Sequence, residues 1–254
     1  AGLRTTPGLD LALIVNDGPA DVVAGVFTTN RVCAAPVQWS RHATADHKAR
    51  AVIVNAAVAN ACTGIDGFAD CDITFSRVDS DACMSTNDTV VAMASGASGI
   101  SLTGDELTDA LTELCAILAR QLVADAEGSH HDVKVTVTGA ISTEAAVAVA
   151  REVTRSNLVK TAIAGNDPNW GRILAAIGCV PENVAPFDPD QVDVSINDIQ
   201  ICKAGGIGED RNLVDMRPRE VHIDIELHAG DAEAAVWTND LTHQYVEENS
   251  EYTS

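Results

Sequence analysis

No window of the sequence approaches eighteen consecutive apolar residues, and no basic stretch followed by an apolar run and a small-residue cleavage site opens it. Neither a membrane-spanning helix nor a secretory leader is therefore expected. Lysine is scarce, confined to Lys48, Lys134, Lys160 and Lys203, and the 16 Lys and Arg stand against 37 Asp and Glu for a net charge of −21. That field repels phosphate backbones and anionic headgroups, which argues against nucleic acid and membrane as partners. A halophilic source would produce such acidity; an ordinary acidic enzyme would too, and is slightly preferred. The seven cysteines, Cys33, Cys62, Cys71, Cys83, Cys115, Cys179 and Cys202, are odd in number and include no C-x-x-C pair. They suggest neither a disulfide framework nor a zinc knuckle, but reduced, buried thiols in a cytoplasm. A Gly-rich phosphate loop after a strand is also missing: Gly205, Gly206 and Gly208 have no helix behind them and read as a turn. There is no internal repeat, low-complexity tract or obvious linker.

What is present is enough apolar material, 46% of 254 residues, to bury the core of one large domain or two small ones. Leu11, Leu13 and Val15 alternate ahead of the turn residues Asn16 to Pro19, Val22 to Phe27 is a second apolar stretch, and Val52 to Val54 a third, so the first third predicts strands. From Thr103 the period changes. Leu107, Leu111, Leu114, Leu118 and Leu122 fall three or four apart, and Thr103 with Glu106 has capping-box spacing, which predicts a long helix. Val133, Val135 and Val137 then alternate as a strand, and Ala146, Val149, Ala150 and Val153 form a second helical pattern behind the candidate caps Ser142 and Thr143.

The last quarter returns to strands. Val192, Val194 and Ile196 precede the turn pair Asn197 and Asp198, and Val221, Ile223, Ile225 and Leu227 lead into Gly230 and Asp231, implying two hairpins. Asp240 is placed to cap a short terminal helix through Leu241, Tyr245 and Val246, leaving Asn249 to Ser254 as a polar tail. Clustered strands beside helices predict an α+β fold of layered sheets flanked by helices rather than a doubly wound parallel sheet.

Three groups bear on chemistry. In GNDPNWGR, Pro168 suits the first turn of a helix and Asn166 or Asp167 its cap; Arg172 beside Trp170 either holds a carboxylate or packs. Asn60, Cys62 and Thr63 follow an apolar strand, where they line a site or, the preferred reading, satisfy a turn. With no basic residue near it in sequence, Cys62 is a poor candidate nucleophile. His130, His131 and Asp132 have metal-ligating side chains, but adjacent residues diverge and no second cluster is near, so no metal is expected.

Several blocks together resemble the bifunctional ornithine acetyltransferase and N-acetylglutamate synthase family of arginine biosynthesis. They are GVFTTNRVCAAPV (Gly25 to Val37), ANACTG (Ala59 to Gly64), STNDTV (Ser85 to Val90), LVKTAIAGNDPNWGRILAAIG (Leu158 to Gly178) and the terminal DLTHQYVEENSEYTS. The resemblance implies that family's fold and a glutamate N-acetyltransferase, a cytoplasmic enzyme moving an acetyl group from N-acetylornithine to glutamate without a cofactor. Its partners would be those two amino acids, acetyl-CoA as a further candidate, and copies or chains of the same protein in a homo-oligomer or an α/β heterotetramer. Residues 1–71 would correspond to a truncated α-chain and residues 72–254 to the β-chain.

Family members cut themselves before a threonine whose freed amine and hydroxyl then serve as base and nucleophile. The amine, with a pKa near neutrality, takes the hydroxyl proton, while nearby donors stabilise the oxyanion. The Ser-Thr-Gly oxyanion run and the Lys-Gly-x-Gly-Met and Ala-Thr-Met-Leu segments that carry these groups are absent here, as if a middle segment were excised near Cys71. No catalytic residue is identified. For substrate contact, the family's D-x-E-G acid matches Glu127, and its terminal Asn and final Ser or Thr match Asn249 and Ser254. Taken without the resemblance, these are a solvated acid and a frayed tail. Where the family continues D-x-E-G with Thr and Lys, this chain has Ser129, His130 and His131. The alternative function is a catalytically silent relative that binds amino acids or a protein partner.

Overall fold

A strand exposes its residues alternately to two faces, and Asp132–Ala140 (β5) obeys this: Val133, Val135 and Val137 are buried while Lys134, Thr136 and Thr138 are not. The computed structural model describes residues 11–31, 33–55, 77–80, 85 and 88–251. They divide into two compact units, one of Ala1–Ile73, Met84–Cys115 and Thr253–Ser254 and another of Thr74–Cys83 and Ala116–Tyr252.

In the first unit, β1 (Leu11–Val15) pairs antiparallel with β3 (Ala51–Asn55), and β2 (Val22–Phe27) with β4 (Thr89–Ala94). Asn16 turns the chain after β1: its Nδ2 donates to Ala20 O (3.0 Å) and its Oδ1 accepts from Gly18 N (3.0 Å). The helix α1 (Ala35–Ala43) has Pro36 in its first turn, where the missing N–H costs nothing. The predicted strands form, but the apolar residues of β1 and β3 are mostly not core, Leu13 being 61% exposed and Ile53 68%, whereas Val23 of β2 is buried.

The predicted long helix is α2 (Gly104–Ala124). Its capping box is complete, with Thr103 N donating to Glu106 Oε2 (2.8 Å) and Glu106 N donating to Thr103 Oγ1 (3.3 Å). The Thr103 backbone and hydroxyl donors hold the Glu106 carboxyl below its ordinary range. The leucine stripe is not its buried face, however. Cys115, Ala119 and Val123 are buried, while Leu107, Leu114, Leu118 and Leu122 are exposed.

The second unit is a six-stranded sheet in the order β10-β5-β9-β6-β7-β8, with β6 (Asp193–Ile196), β7 (Ile199–Lys203), β8 (Gly206–Ile207), β9 (Glu220–Glu226) and β10 (Ala232–Asn239). Only β5 and β9 run parallel. One face carries α3 (Thr143–Arg155), α4 (Asn157–Ala164) and α5 (Trp170–Ile177) over a core of Val133, Val135, Val137, Val149, Val153, Ile163, Ile173, Val194, Ile196, Ile223, Ile225 and Val236. Each such side chain fully buried is worth about 1.5–3 kcal/mol. As expected, α3 starts behind Ser142, whose Oγ accepts from Ala145 N at 3.2 Å. The class is α+β, as the clustered strands predict.

One of the two expected hairpins forms. Asn197 (φ 47°) and Asp198 (φ 67°) join β6 to β7 in the left-handed geometry that a two-residue hairpin turn requires. The strands either side of Gly230 and Asp231 do not pair with each other, because β5 lies between them. The link crosses the end of β5 instead, with Leu227 N bonded to Thr138 O (3.0 Å) and Ala229 N to Gly139 O (2.7 Å). Turn residues mark where a chain reverses, not whether a third strand has already taken the place between. The glycine cluster is a turn as expected: Ala204 (φ 48°) and Gly205 (φ 68°) connect β7 to β8.

Two helix entries differ from expectation. In α5 the cap is Asn169, whose Oδ1 accepts from Arg172 N (3.2 Å), so Asn166, Asp167 and Pro168 all precede the helix. The terminal helix α6 (His243–Glu251) is capped by Thr242, whose Oγ1 accepts from Tyr245 N (3.1 Å), not by Asp240, and it extends through Asn249 instead of leaving it in a tail.

Candidate functional site

After the last turn of α2 the chain must reverse to enter β5, and Asp125, Ala126, Glu127 and Gly128 make that reversal. Ser129 N closes it by donating to Ala126 O (3.0 Å). Gly128 sits at φ 61°, and a Cβ there would lie 2.4 Å from Tyr245 N, inside the contact distance of the α6 backbone. Only glycine allows both the left-handed turn and this approach. Its carbonyl accepts from Thr242 Oγ1 at 2.7 Å, so the turn and the cap of α6 are fastened together.

This close approach brings Glu127 and Asn249 into contact. Asn249 Nδ2 donates to Glu127 Oε2 at 2.9 Å and to Tyr245 O at 2.9 Å, and both residues are exposed. An exposed carboxylate beside an exposed amide is chemically suited to the ammonium and carboxylate of an amino acid. Of the three residues for which the resemblance implies substrate contact, these two are thus brought together. Ser254 lies outside the described residues, as do Asn60, Cys62, Thr63 and the expected join near Cys71.

Beneath the pair is a buried polar junction that no periodicity rule would place there. Thr238, Asn239, Asp240 and Thr242 are all buried, although all are polar and nearly consecutive. Asp240 Oδ1 accepts from His130 N (2.9 Å) and His131 N (3.1 Å), its Oδ2 lies 2.7 Å from His131 Nδ1, and His131 Nε2 lies 3.0 Å from Met216 O. The histidine doublet therefore does not converge with Asp132 on a metal. Asp132 pairs with Arg219, which also donates to Ala124 O at 2.6 Å, and that bond with Asp132 raises the Arg219 guanidinium. Among the described residues no group of three or more His, Cys, Asp and Glu is arranged to hold a metal ion.

A second buried polar cluster ties residues 77–80 to β10. Arg155 Nε donates to Asp79 Oδ2 (2.6 Å), Thr238 Oγ1 to Asp79 O (2.6 Å), and Ser80 Oγ to Asn239 Oδ1 (2.7 Å). Lys160, from LVKTAIAG, is buried and directs Nζ to Ser80 O, Thr238 Oγ1 and Asn239 Oδ1. Among the described residues Arg172 binds no carboxylate: its Nη1 donates to Leu158 O (2.7 Å) and Thr161 Oγ1 (3.4 Å), so it braces α4.

The open polar face of the sheet carries a shallow cavity of about 160 Å³ lined by Thr138, Asp193, Ser195, Gln200, Asp224, Ile225 and Glu226. Burial pushes the Asp193 carboxyl up, but the Ala204 N–H (2.7 Å) and His228 (3.0 Å) outweigh it and hold the carboxyl below its ordinary range. Thr138 Oγ1 donates to Glu226 Oε2 (2.6 Å) within the lining, and the cavity sits toward the far end of β5 from Glu127.

Sequence reasoning missed Gly128, His131, Asp240 and Thr242 as a set. The available signal was Thr238 and Asn239 closing an apolar strand directly into Asp240 and Thr242 at the start of the family-like terminal block.

Comparison with known proteins gives a consistent result. The model described as the ArgJ family matches residues 1–74 and 69–254. The arginine biosynthesis bifunctional protein ArgJ of Bifidobacterium longum is 40% identical over 376 aligned positions, covering 100% of this chain and 96% of that one. The protein of the same name from Streptomyces coelicolor is 37% identical over 371 positions, with 100% and 96% covered. A crystal structure of arginine biosynthesis bifunctional protein ArgJ from Bacillus halodurans superimposes with a TM-score of 0.64 at 35% identity, covering 70% of this chain and 87% of that one. Since 376 aligned positions less the 254 residues here leaves 122, the Bifidobacterium protein has at least that many residues facing gaps in this chain.

Proposed function

Because this chain belongs to the ArgJ family, we propose that it serves arginine biosynthesis as a glutamate N-acetyltransferase, moving an acetyl group from N-acetylornithine to glutamate. Glu127, Asn249 and Ser254 are the residues that contact the amino acid. The observation that carries this reading is the 2.9 Å bond between Glu127 and Asn249, 122 residues apart in sequence and both open to solvent.

The chemistry follows from what each group offers. Glu127 accepts through Oε2 from Asn249, and among the described residues Oε1 has no partner, so an ammonium of ornithine can be held there by a charge-assisted bond. Both N–H groups of Asn249 are occupied, one by Glu127 and one by Tyr245 O. Once Glu127 turns to the ammonium, the released N–H can donate to the ligand carboxylate. No cofactor enters this scheme. The acyl-accepting threonine and the oxyanion donors implied by the family are not in the sequence, so the transfer step requires the interior segment, carried either in this protein's own chain or on another. In this reading residues 1–71 belong to the α-chain part and 72–254 to the β-chain part of a cytoplasmic oligomer. The matched relatives are named as biosynthetic proteins, and nothing favours a silent binder.

The test is calorimetry with N-acetylornithine and with ornithine on the parent, Glu127→Gln and Asn249→Ala. Losing one charge-assisted hydrogen bond costs about 1.5–3 kcal/mol, or roughly ten- to a hundredfold in affinity, and Glu127→Gln should lose most. The parent alone should release no ornithine from N-acetylornithine and glutamate; the chain carrying the relative's interior segment should. Equal affinity in parent and both variants would remove these residues from the site.

A further inference from the structure

The terminal helix α6 has no fully buried residue, Tyr245 being half-buried, so little apolar packing holds it against the turn that presents Glu127. Its anchors are polar and gather at its first turn: Thr242 Oγ1 on Gly128 O, and, two residues earlier, Asp240 on the backbone and ring of the His130–His131 segment. That segment runs directly from Glu127 into β5, and Asp240 leads directly from β10 into α6. The pair therefore joins the two pieces of chain whose exposed ends carry Glu127 and Asn249.

Its bonds leave neither group spare. Met216 O can only accept, so Nε2–H of His131 donates to it. Asp240 Oδ1 accepts from two backbone N–H groups, and Oδ2 shares the remaining hydrogen bond with Nδ1 of the ring. The two side chains are enclosed together, 8% and 0% exposed. A buried pair of this kind is held in one geometry, because rotating either group leaves a buried polar atom without a partner.

We propose that the His131–Asp240 pair is the positioning element of the amino-acid site, fixing α6 against the Glu127 turn and so setting the Glu127–Asn249 contact that a ligand opens. This rests on the reading of Glu127 and Asn249 as ligand contacts. It also gives a role to His131 in the stretch where the chain departs from the Thr and Lys of the family pattern. Asp240 and His131 touch no ligand themselves; they act through the placement of the two residues that do.

The test compares His131→Ala, Asp240→Ala and Asp240→Asn. Asparagine can keep every bond of the pair with a neutral ring: its oxygen accepts the two backbone N–H groups, its amide donates to Nδ1, and Nε2–H still reaches Met216 O. Two readouts are taken, amide hydrogen exchange along α6 against the buried face of α3, and calorimetric affinity for N-acetylornithine. Both alanine variants should accelerate exchange in α6 by about tenfold or more with α3 unchanged, and weaken binding by about tenfold or more. Asp240→Asn should stay within about threefold of the parent on both. Unchanged α6 exchange in His131→Ala, or loss of α3 protection together with α6, would overturn the positioning role, as would an asparagine variant as impaired as alanine. If Glu127→Gln leaves affinity unchanged, the amino-acid site falls, while the exchange arm still decides whether the pair holds α6.

Discussion

Replacing Gly128 by alanine should detach the terminal helix without unfolding the sheet unit beneath it. The added Cβ would sit 2.4 Å from Tyr245 N and 2.9 Å from Gln244 C, both main-chain atoms that cannot rotate away. Non-bonded heavy atoms settle at about 3.5 Å or more, so α6 must retreat by about 1 Å. Thr242 Oγ1 would then stand beyond hydrogen-bond reach of Gly128 O, from 2.7 Å now, forfeiting about 0.5–1.5 kcal/mol. Holding φ at 61° costs a non-glycine residue a further 1–2 kcal/mol or so. With no buried side chain in α6 to resist, the helix yields before the core does. The expected outcome is rapid hydrogen exchange from Tyr245 to Glu251, loss of N-acetylornithine affinity comparable to Asn249→Ala, and a fall in Tm of only about 2–8 °C from the backbone strain. An alanine variant with parental exchange in α6 and parental affinity would show that the turn and the helix are not in the contact described here.

Two further perturbations probe other parts of the molecule. Asp215 is clasped by Arg217, whose Nε and Nη2 donate to its two oxygens at 2.8 Å each, and this holds its carboxyl at about 2 against an ordinary 3.8. Because the folded value is the lower one, the stabilisation is fully present above 3.8 and is lost as pH falls through about 2. Arg217→Ala should move the Asp215 titration, followed by carboxyl carbon NMR, up toward 3.8; a midpoint still near 2 would contradict the cause assigned. On α2, Leu107, Leu114, Leu118 and Leu122 are 47%, 51%, 41% and 60% exposed, more contiguous apolar surface than a helix usually leaves to water. The parent should bind a hydrophobic dye, and the triple change of Leu114, Leu118 and Leu122 to Gln should abolish most of that signal at nearly constant Tm. A steep loss of stability would instead place this face in a core.

What the sequence determined by itself is local. The capping box at Thr103 and Glu106, the alternation of Val133, Val135 and Val137, the Ser142 cap and the Asn197–Asp198 turn each depend on groups within a few residues of one another, and all appear in the structure. The family blocks, too, are visible in the letters alone. Tertiary structure decided what those rules leave equal. Asn166, Asp167 and Asn169 are all competent caps, as are Asp240 and Thr242, and the choice falls to Asn169 and Thr242. At the second of these, Asp240 is already engaged by His131 from 109 residues away. The strands beside Gly230 were read as a hairpin because a turn motif says nothing of β5, which had already occupied the position between them. Periodicity found the leucine face of α2, yet the buried face is the one bearing Cys115, Ala119 and Val123, because burial depends on what packs against a helix and not on the helix alone. The contact between Glu127 and Asn249 belongs to the same class: neither residue's neighbours in sequence predict it, and it exists because a glycine without a Cβ lets one backbone pass against another.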